Sequence, residues 1–318
     1  MEYRKVEGIN LPLSRVVFGC AIAPMLKGEN VNDLLDAVYD MGINVFDTAE
    51  NYGQSETVLG NWMRERKNRE KLVIISKGCH PYERNRVTPE DLRKDIEQSF
   101  QRLGTDYIDI YFLHRDDRNI DPGIMTEILN EYYRAGKIKA FGGSNWSCER
   151  IEQANHYADR HGLHPFTVSS PNFGLADQMG DPFGGGDGCV TISGPKHAKD
   201  RVWYQKNRIP VFAYSSLGRG FFSGRLKSSQ PERAGELIDE FAVKGYCYPE
   251  NFERLRRVEE LAEKKNCTVP QLALAWVLAQ ELQVFPLISA RRPERIQDNL
   301  AALEIMLTRE EQAWLNLE

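Results

Sequence analysis

The sequence lacks several features that mark whole classes of protein. None of its 318 residues belongs to an apolar stretch approaching the ~18 residues that a membrane-spanning helix needs. Positive charge is not in excess, because 41 Lys and Arg stand against 46 Asp and Glu and give a formal net charge of −5. Nothing therefore favours nucleic acid or a membrane as a partner. The first residues lack the apolar segment of a secretory signal, so we expect a cytoplasmic protein.

The sequence also lacks cysteines in close pairs. Six are present, but none has a neighbour at the spacing typical of zinc ligands or of redox exchange. Reduced thiols and no metal site are the expectation for such a chain. The six are Cys20, Cys79, Cys148, Cys189, Cys247 and Cys267.

What the sequence does have is an alternation of short apolar runs with longer amphipathic ones. With 41% apolar and 27% charged residues it can bury a sizeable core. Eight runs rich in β-branched and aromatic residues read as buried strands: Val16–Cys20, Ile43–Asp47, Leu72–Lys77, Tyr107–His114, Lys139–Ser144, Phe166–Ser170, Val211–Tyr214 and Val284–Ser289. Seven segments carry a helical pattern: Val31–Met41, Thr88–Leu103, Pro122–Ala135, Cys148–Arg160, Phe252–Lys265, Val269–Ala279 and Pro293–Leu303.

This alternation predicts an α/β protein, a (β/α)8 TIM barrel formed as a single domain over residues 1–318. Such barrels need about 250 residues plus insertions. A doubly wound sheet is the weaker alternative, because no glycine cluster follows the first strand. We expect an N-terminal β-hairpin within Glu2–Leu13. Long loops at the carboxyl-terminal face would include residues 172–195, with a glycine-rich stretch at Gly184–Gly188.

Four polar residues stand where predicted strands pass into loops: Asp47, Tyr52, Lys77 and His114. In a barrel this is where reactive groups lie. An ammonium lowers the pKa of a neighbouring tyrosine, and a buried ammonium needs a carboxylate. A histidine beside the hydroxyl can orient a carbonyl oxygen. Together the four could protonate a carbonyl oxygen while another species attacks its carbon.

Each of the four also has a purely structural interpretation. Asp47 could cap the following turn, and Tyr52 could be a packed aromatic residue. Lys77 could extend to solvent from the end of its strand. A lone histidine such as His114 is more often a core residue than a catalyst. The agreement of all four on one face of a barrel favours the functional interpretation.

At this point the sequence strongly resembles the aldo-keto reductase superfamily. Residues 41–60 (MGINVFDTAENYGQSETVLG) resemble one signature of that family, and residues 102–114 (RLGTDYIDIYFLH) resemble a second. Residues 74–77 (IISK) match its lysine strand, and residues 142–146 (GGSNW) match its Gly-x-Ser-Asn segment. The matches occur in order along the chain.

The resemblance implies a barrel enzyme that uses NAD(P)H without a metal or flavin. It implies that Tyr52 is the general acid in the reduction of a carbonyl, that Lys77 lowers the pKa of Tyr52, and that Asp47 pairs with Lys77. His114 would help to position the substrate carbonyl.

The resemblance also implies cofactor contacts. Ser144 and Asn145 correspond to a carboxamide-binding pair, and Tyr214 to a ring that stacks on the nicotinamide. Residues 215–224 correspond to a pyrophosphate loop, and residues 289–299 to the adenosine end, where three arginines favour NADPH over NADH. The full predicted cofactor set is Cys20, Ser144, Asn145, Ser170, Tyr214, Ser215, Leu217, Gly218, Gly220, Ser289, Arg291, Arg295, Asp298 and Asn299.

The chain departs from its relatives in the predicted cofactor site. Ser170 stands where many of them have a carboxamide-contacting glutamine, so that contact is lost, mediated by water or taken over by Asn172. Ser289 stands where a lysine is common. After His114 the chain reads Arg115-Asp116-Asp117, without the usual proline.

We therefore predict an NADPH-dependent reductase acting on a small-molecule aldehyde or ketone. An NADPH-binding regulatory or accessory subunit with slow chemistry is the alternative from another class. A phosphate-handling barrel enzyme without nicotinamide is a third. The candidate substrate-pocket residues are Cys20, Ile22, Met25, Trp146, Phe173 and Phe183. Neither the substrate nor the oligomeric state is readable from the sequence.

Overall fold

Eight parallel strands close into a barrel, as the sequence pattern predicts. The structure is a computed structural model that describes residues 1–183 and 188–318. Around the barrel the strand order is β10-β3-β4-β5-β6-β7-β8-β9. The barrel strands are β3 (Val17–Gly19), β4 (Val45–Asp47), β5 (Val73–Gly78), β6 (Ile108–Leu113), β7 (Ile138–Ser144), β8 (Val168–Ser170), β9 (Val211–Ala213) and β10 (Val284–Ile288). The chain is thus a (β/α)8 TIM barrel.

A two-stranded antiparallel hairpin precedes the barrel. It pairs β1 (Tyr3–Arg4) with β2 (Leu13–Ser14), Tyr3 lying opposite Ser14. The hairpin predicted within Glu2–Leu13 is therefore confirmed, with its second strand ending one residue later.

Thirteen α-helices lie within the described residues: α1 (Ala23–Leu26), α2 (Asn32–Asp40), α3 (Ser55–Arg66), α4 (Pro89–Leu103), α5 (Pro122–Arg134), α6 (Cys148–His161), α7 (Ala198–Asn207), α8 (Ala234–Leu237), α9 (Glu240–Tyr246), α10 (Pro249–Lys264), α11 (Val269–Leu278), α12 (Pro293–Leu300) and α13 (Arg309–Leu315). The seven predicted helical segments correspond to α2, α4, α5, α6, α10, α11 and α12. No described helix is long and apolar enough to cross a membrane.

Helix α4 shows how local sequence sets an element's ends. The side chain of Thr88 accepts a hydrogen bond from the backbone N–H of Asp91, and Pro89 occupies the first turn. At the other end Gly104 adopts a left-handed φ of 61°. Leu92, Ile96 and Leu103 face inward between these ends, as their spacing predicts.

Strands β7 and β8 approach so closely that only glycine fits at one position. A Cβ atom on Gly142 would lie 1.7 Å from the carbonyl oxygen of Val168. The strands are in register there, and Ser144 at the end of β7 lies opposite Ser170 at the end of β8. Gly142 thus fixes the spacing of two residues predicted to contact the cofactor.

The chain divides into two compact units. The first comprises Met1–Ser170 and Ser289–Pro293, and the second Pro171–Ile288 and Glu294–Glu318. Strands β3 to β8 belong to the first unit, and β9 and β10 to the second. That the whole chain acts as a single domain stays a prediction.

Candidate active site

The centre of the first unit's site is a buried ion pair at the ends of neighbouring strands. Lys77 Nζ donates to Asp47 Oδ1 at 2.6 Å and to the carbonyl oxygen of Thr48 at 2.8 Å. Both charged side chains are only 3% exposed. The other carboxylate oxygen, Asp47 Oδ2, is buried without a partner among the described residues. Asp47 does not cap a turn, and Lys77 does not extend to solvent.

The electrostatics of this pair keep the lysine charged. Burial alone would lower the pKa of Lys77, but the Asp47 carboxylate and Tyr52 outweigh that effect and raise it above the ordinary value. Burial also raises the pKa of Asp47, and the Lys77 ammonium opposes that rise. Because the ammonium holds its proton tightly, the site has a fixed positive charge beside its tyrosine.

Tyr52 lies directly against this charge. It follows β4 in the loop before α3, and Lys77 Nζ is 5.0 Å from the centroid of its ring. Burial raises the pKa of the Tyr52 hydroxyl, whereas Lys77 lowers it and Asp47 raises it, so the pKa lies above its ordinary value. The expected influence of Lys77 on Tyr52 is present in direction but is smaller than that of burial. Tyr52 is therefore protonated at neutral pH and can act as a donor.

His114 completes the cluster from the end of β6. Its ring packs edge-on against Tyr52, with centroids 5.7 Å apart and an interplanar angle of 76°. Burial lowers the pKa of His114 well below its usual value, and the charges of Arg115 and Lys77 lower it further. The imidazole is thus neutral at physiological pH. Its Nδ1 atom is buried without a partner among the described residues.

Three predicted cofactor residues adjoin His114 in the same unit. Asn145, with a left-handed φ of 61°, directs its side-chain amide to the carbonyl oxygen of His114 at 3.2 Å. Ser144 Oγ donates to the carbonyl oxygen of Ser170 at 2.9 Å. The hydroxyl of Ser170 is buried without a partner among the described residues. An unsatisfied buried hydroxyl fits a position that an external amide would occupy.

Cys20, Ser289 and Arg291 also belong to the first unit. The backbone N–H of Cys20 donates to the carbonyl oxygen of Asp47 at 2.8 Å, and burial raises the pKa of its thiol. Ser289 Oγ donates to the carbonyl oxygen of Gly19 at 2.7 Å, and Arg291 is exposed. The thiol of Cys20 is therefore un-ionised and unreactive, although its backbone contacts that of Asp47.

In the second unit, the loop after β9 has several residues in the left-handed backbone region. Ser215, Gly218, Arg219 and Gly220 all have positive φ, from 52° to 98°. Two of their N–H groups are already engaged, since Gly218 donates to the carbonyl oxygen of Ser215 at 2.7 Å and Gly220 donates to that of Leu217 at 3.2 Å. Ser215, Leu217, Gly218 and Gly220 lie in this loop, and their contact with a pyrophosphate stays a prediction, as does the stacking of Tyr214 on the nicotinamide.

Asn172 is not available to replace the missing glutamine. Its side-chain amide donates to Tyr246 Oη at 2.8 Å, and its carbonyl oxygen accepts from Thr191 Oγ1 at 2.9 Å. Its backbone bonds to Val190 and Ile192 at 2.8 and 2.9 Å. Among the interpretations left open for residue 170, a contact through Asn172 is therefore the least compatible with the geometry.

The predicted adenosine-end residues Arg295, Asp298 and Asn299 lie on α12. The side chains of Arg295 and Asp298 are exposed, and the carbonyl oxygen of Asp298 accepts from Gln271 at 2.8 Å. Of the glycine-rich stretch predicted at Gly184–Gly188, residues 184–187 lie outside the described residues. Phe183, just before them, packs 5.3 Å from Phe241, and Arg219 lies over both rings.

Sequence reasoning missed two residues of the cluster, His80 and Arg115. The His80 ring lies 4.8 Å from that of His114, and its Nδ1 contacts the carbonyl oxygen of Pro81 at 2.7 Å. Burial and then Arg115 lower the pKa of His80 to about 4. Extending the search two or three residues beyond each strand end would have found both residues.

Comparison with known proteins agrees with this arrangement. The family model described as "Aldo/keto reductase family" matches residues 23–316. Aldo-keto reductase str7 of Strobilurus tenacellus is 27% identical, covering 88% of this chain and 78% of the relative. Aldo-keto reductase yakc [NADP(+)] of Schizosaccharomyces pombe is 26% identical, covering 96% and 87%. A putative voltage-gated potassium channel subunit beta of the same yeast is 26% identical, covering 87% and 80%.

The family match covers most of the chain, and the strand order of the barrel and the buried cluster at the strand ends agree with it. The chain belongs to the aldo/keto reductase family and is an NAD(P)H-dependent oxidoreductase.

Proposed function

We propose that the protein reduces the carbonyl of a small aldehyde or ketone with NADPH, and that Tyr52 is the general acid. The observation that carries this proposal is the buried Asp47–Lys77 pair beneath the ring of Tyr52, next to a neutral His114. The pair fixes a positive charge where a negative charge would develop on the tyrosine oxygen.

The chain's own residues would divide the proton chemistry among them. Tyr52 gives its hydroxyl proton to the carbonyl oxygen, and the phenolate that remains is stabilised by the Lys77 ammonium. A neutral His114 has one N–H with which to hold the same carbonyl oxygen. The bound nicotinamide supplies a hydride to the carbonyl carbon. Tyr52 then regains a proton from water before the next turnover.

Each unit contains residues suited to a part of a dinucleotide. Ser144, Asn145 and Ser170 have the donors and acceptors to bind a carboxamide. The family resemblance supports a pyrophosphate beside Ser215, Leu217, Gly218 and Gly220. The exposed guanidinium groups of Arg291 and Arg295 suit a 2′-phosphate, which supports NADPH, as does the printed name of yakc.

The direct test follows NADPH absorbance with a panel of aldehydes. We expect turnover by the wild type and a loss of roughly 100- to 10,000-fold in kcat for Tyr52→Phe, the range of general acid catalysis. Tyr39→Phe, a tyrosine of α2, is the matched control and should keep full activity. No turnover of any aldehyde, or equal rates for wild type and Tyr52→Phe, would refute the proposal.

A second candidate function, a regulatory or accessory subunit, is favoured by the relative named as a putative channel subunit beta. In that case bound NADPH would be oxidised once, and the resulting NADP⁺ would be released very slowly. Comparing a single turnover with steady-state turnover separates the two functions. A steady-state rate close to the single-turnover rate supports the enzyme, and a far slower one supports the subunit.

A further inference from the structure

His80 is held in a fixed place just beyond the end of β5. The residue before it, Cys79, has a left-handed φ of 63°, a conformation that costs free energy for any residue other than glycine. The buried carboxylate of Asp95 accepts from the backbone N–H of Cys79 at 2.8 Å, and Arg86 donates to the carbonyl oxygen of His80 at 3.3 Å. Because these bonds hold the turn on both sides of the strained residue, the fold sets the direction in which His80 leaves the strand.

The ring of His80 lies beside the groups that would handle the carbonyl. Its centroid is 4.8 Å from that of His114, at an interplanar angle of 70°, and the centroid of His114 is in turn 5.7 Å from that of Tyr52. Tyr52 and His80 are both half-buried, and His114, which contacts both rings, is almost fully buried. A molecule that contacts Tyr52 and His114 therefore lies next to His80.

The hydrogen bond of the His80 ring determines which of its two nitrogens carries the proton. Nδ1 lies 2.7 Å from the carbonyl oxygen of Pro81, which can only accept, so the proton is on Nδ1. Burial and then the charge of Arg115 lower the pKa of the ring to about 4, so it binds no second proton at physiological pH. Nε2, at the end of the ring away from the backbone, is therefore a hydrogen-bond acceptor.

This acceptor is unused within the described part of the chain, where no residue donates a hydrogen bond to His80 Nε2. The neighbouring Tyr82, with its ring centroid 6.1 Å from that of His80, donates its hydroxyl proton to Glu50 at 2.8 Å instead. In His114 it is Nδ1 that is buried, so the N–H that would hold a carbonyl oxygen is on Nε2. A donor and an unused acceptor thus belong to adjacent rings.

We propose that His80 accepts a hydrogen bond from the substrate, and that the natural substrates are aldehydes or ketones with a hydroxyl group on the carbon next to the carbonyl. This inference rests on the function proposed above and names its substrate class. The carbonyl oxygen would accept from Tyr52 and His114 while the neighbouring hydroxyl donates to His80, so that one molecule satisfies both histidine rings. A neutral hydroxyl suits the position better than an ammonium group, because the charges of Arg115 and Arg86 disfavour a further cation at His80.

Two substrate pairs in which a hydroxyl replaces a methyl group test the proposal. The first is hydroxyacetone and butanone, and the second is lactaldehyde and 2-methylpropanal. The members of a pair are nearly equal in size, so packing contributes little to the ratio of their kcat/KM values. We call this ratio, hydroxylated over methylated member, the hydroxyl selectivity. The intrinsic reactivity of each carbonyl is the same for every variant, so a change in the ratio between variants reports on the enzyme alone.

Variants of His80 separate the acceptor from the ring. His80→Phe keeps an aromatic ring without the acceptor and should lower the hydroxyl selectivity by roughly 3- to 10-fold, the range of one hydrogen bond between uncharged groups. The loss should fall on the hydroxylated member. His80→Gln offers a carbonyl oxygen and should keep part of the selectivity. His156→Phe, at an exposed histidine of α6, is the matched control and should keep all of it.

Three outcomes would overturn the proposal: a hydroxyl selectivity that survives His80→Phe, an equal loss for both members of a pair in that variant, or the same loss in His156→Phe. Nitrogen-15 NMR provides a second test that needs no turnover. The His80 signals, identified by their absence from His80→Gln, should show a protonated Nδ1 and an unprotonated Nε2. In the presence of NADP⁺, hydroxyacetone should shift the Nε2 signal and butanone should not.

The NMR test also distinguishes failure of this inference from failure of the proposed function. If the wild type turns over no carbonyl compound, the proposed function fails, and the spectra still decide on His80. A shift of Nε2 with hydroxyacetone alone supports the acceptor site. A protonated Nε2, or the same response to both ketones, refutes it.

Discussion

The buried cluster around Asp47 and Lys77 and the predicted phosphate-binding regions are built on opposite principles. At the ends of β4, β5 and β6 the functional groups are buried and bonded to one another, so each holds the next in place. The loop after β9 relies on its backbone shape, and Arg295 on α12 has an exposed side chain. Substitutions in the first region should therefore affect stability and chemistry together. Those in the second should affect mainly cofactor binding.

The largest effect is expected from Lys77→Met. It leaves the Asp47 carboxylate buried and unpaired, which costs roughly 3–5 kcal/mol of unfolding free energy. The double variant Asp47→Asn with Lys77→Met removes both charges and should recover most of that stability. Neither variant should recover activity, because both lack the ammonium beside Tyr52. Denaturant unfolding combined with NADPH oxidation measures both quantities, and a double variant as unstable as the single one contradicts this account.

The second effect is on the pH dependence of stability. The pKa of His80 is about 4 in the folded protein, against an ordinary value of 6.5. Below pH 6.5 the unfolded chain binds a proton that the folded chain does not, so stability falls as the pH drops toward 4. The slope contributed by one such group is at most ~1.4 kcal/mol per pH unit. His80→Gln should lose less stability than the wild type between pH 7 and pH 5, and equal losses would show that His80 is not buried as described.

A smaller effect is expected at the adenosine end. Arg295→Ala should weaken NADPH binding about 10-fold and leave NADH binding nearly unchanged, since only NADPH carries the 2′-phosphate. The difference should shrink at high salt, because the contact is exposed. Arg309→Ala, an exposed arginine of α13, is the control and should leave both affinities unchanged, and fluorescence titration measures them. Equal losses for both cofactors with Arg295→Ala would refute the assignment.

The smallest change concerns the backbone of the phosphate loop. Gly218 has a φ of 60°, and an added Cβ would lie 2.9 Å from Cβ of Phe221. Gly162, after α6, has nearly the same φ of 61° and open space around it. Alanine at Gly162 should cost about 1 kcal/mol of stability through backbone strain, and alanine at Gly218 should cost more because of the added close contact. Only Gly218→Ala should also weaken NADPH binding, and a loss shared by Gly162→Ala would contradict a role for the loop.

The sequence predicted the strands and the four clustered residues because both depend on strong local patterns. Nearly continuous apolar runs mark buried parallel strands, and a polar residue that ends such a run lies on the functional face. The pairing of Lys77 with Asp47 was implied by the family resemblance and by the need of a buried ammonium for a carboxylate, and the two side chains do pair.

The sequence pattern did not predict helices α3 and α7, and the reason is physical. Helix α3 buries residues on most of its faces, among them Glu56, Gly60 and Trp62, so it has no single apolar stripe. Helix α7 buries only Tyr204 and has almost no stripe to detect. His80 and Arg115 were not predicted because they lie two residues beyond the ends of β5 and β6, past the polar residue that ends each predicted strand.

The bonds of Asn172 have a consequence for the length of the segment that they close. These bonds join residue 172 to residues 190–192, so they close the segment between them into a loop within the long connection from β8 to β9. The free energy of closing a loop grows only with the logarithm of its length. Changes in the number of residues between the two ends of this segment would therefore cost little and would leave the hydrogen bonds of Asn172 in place.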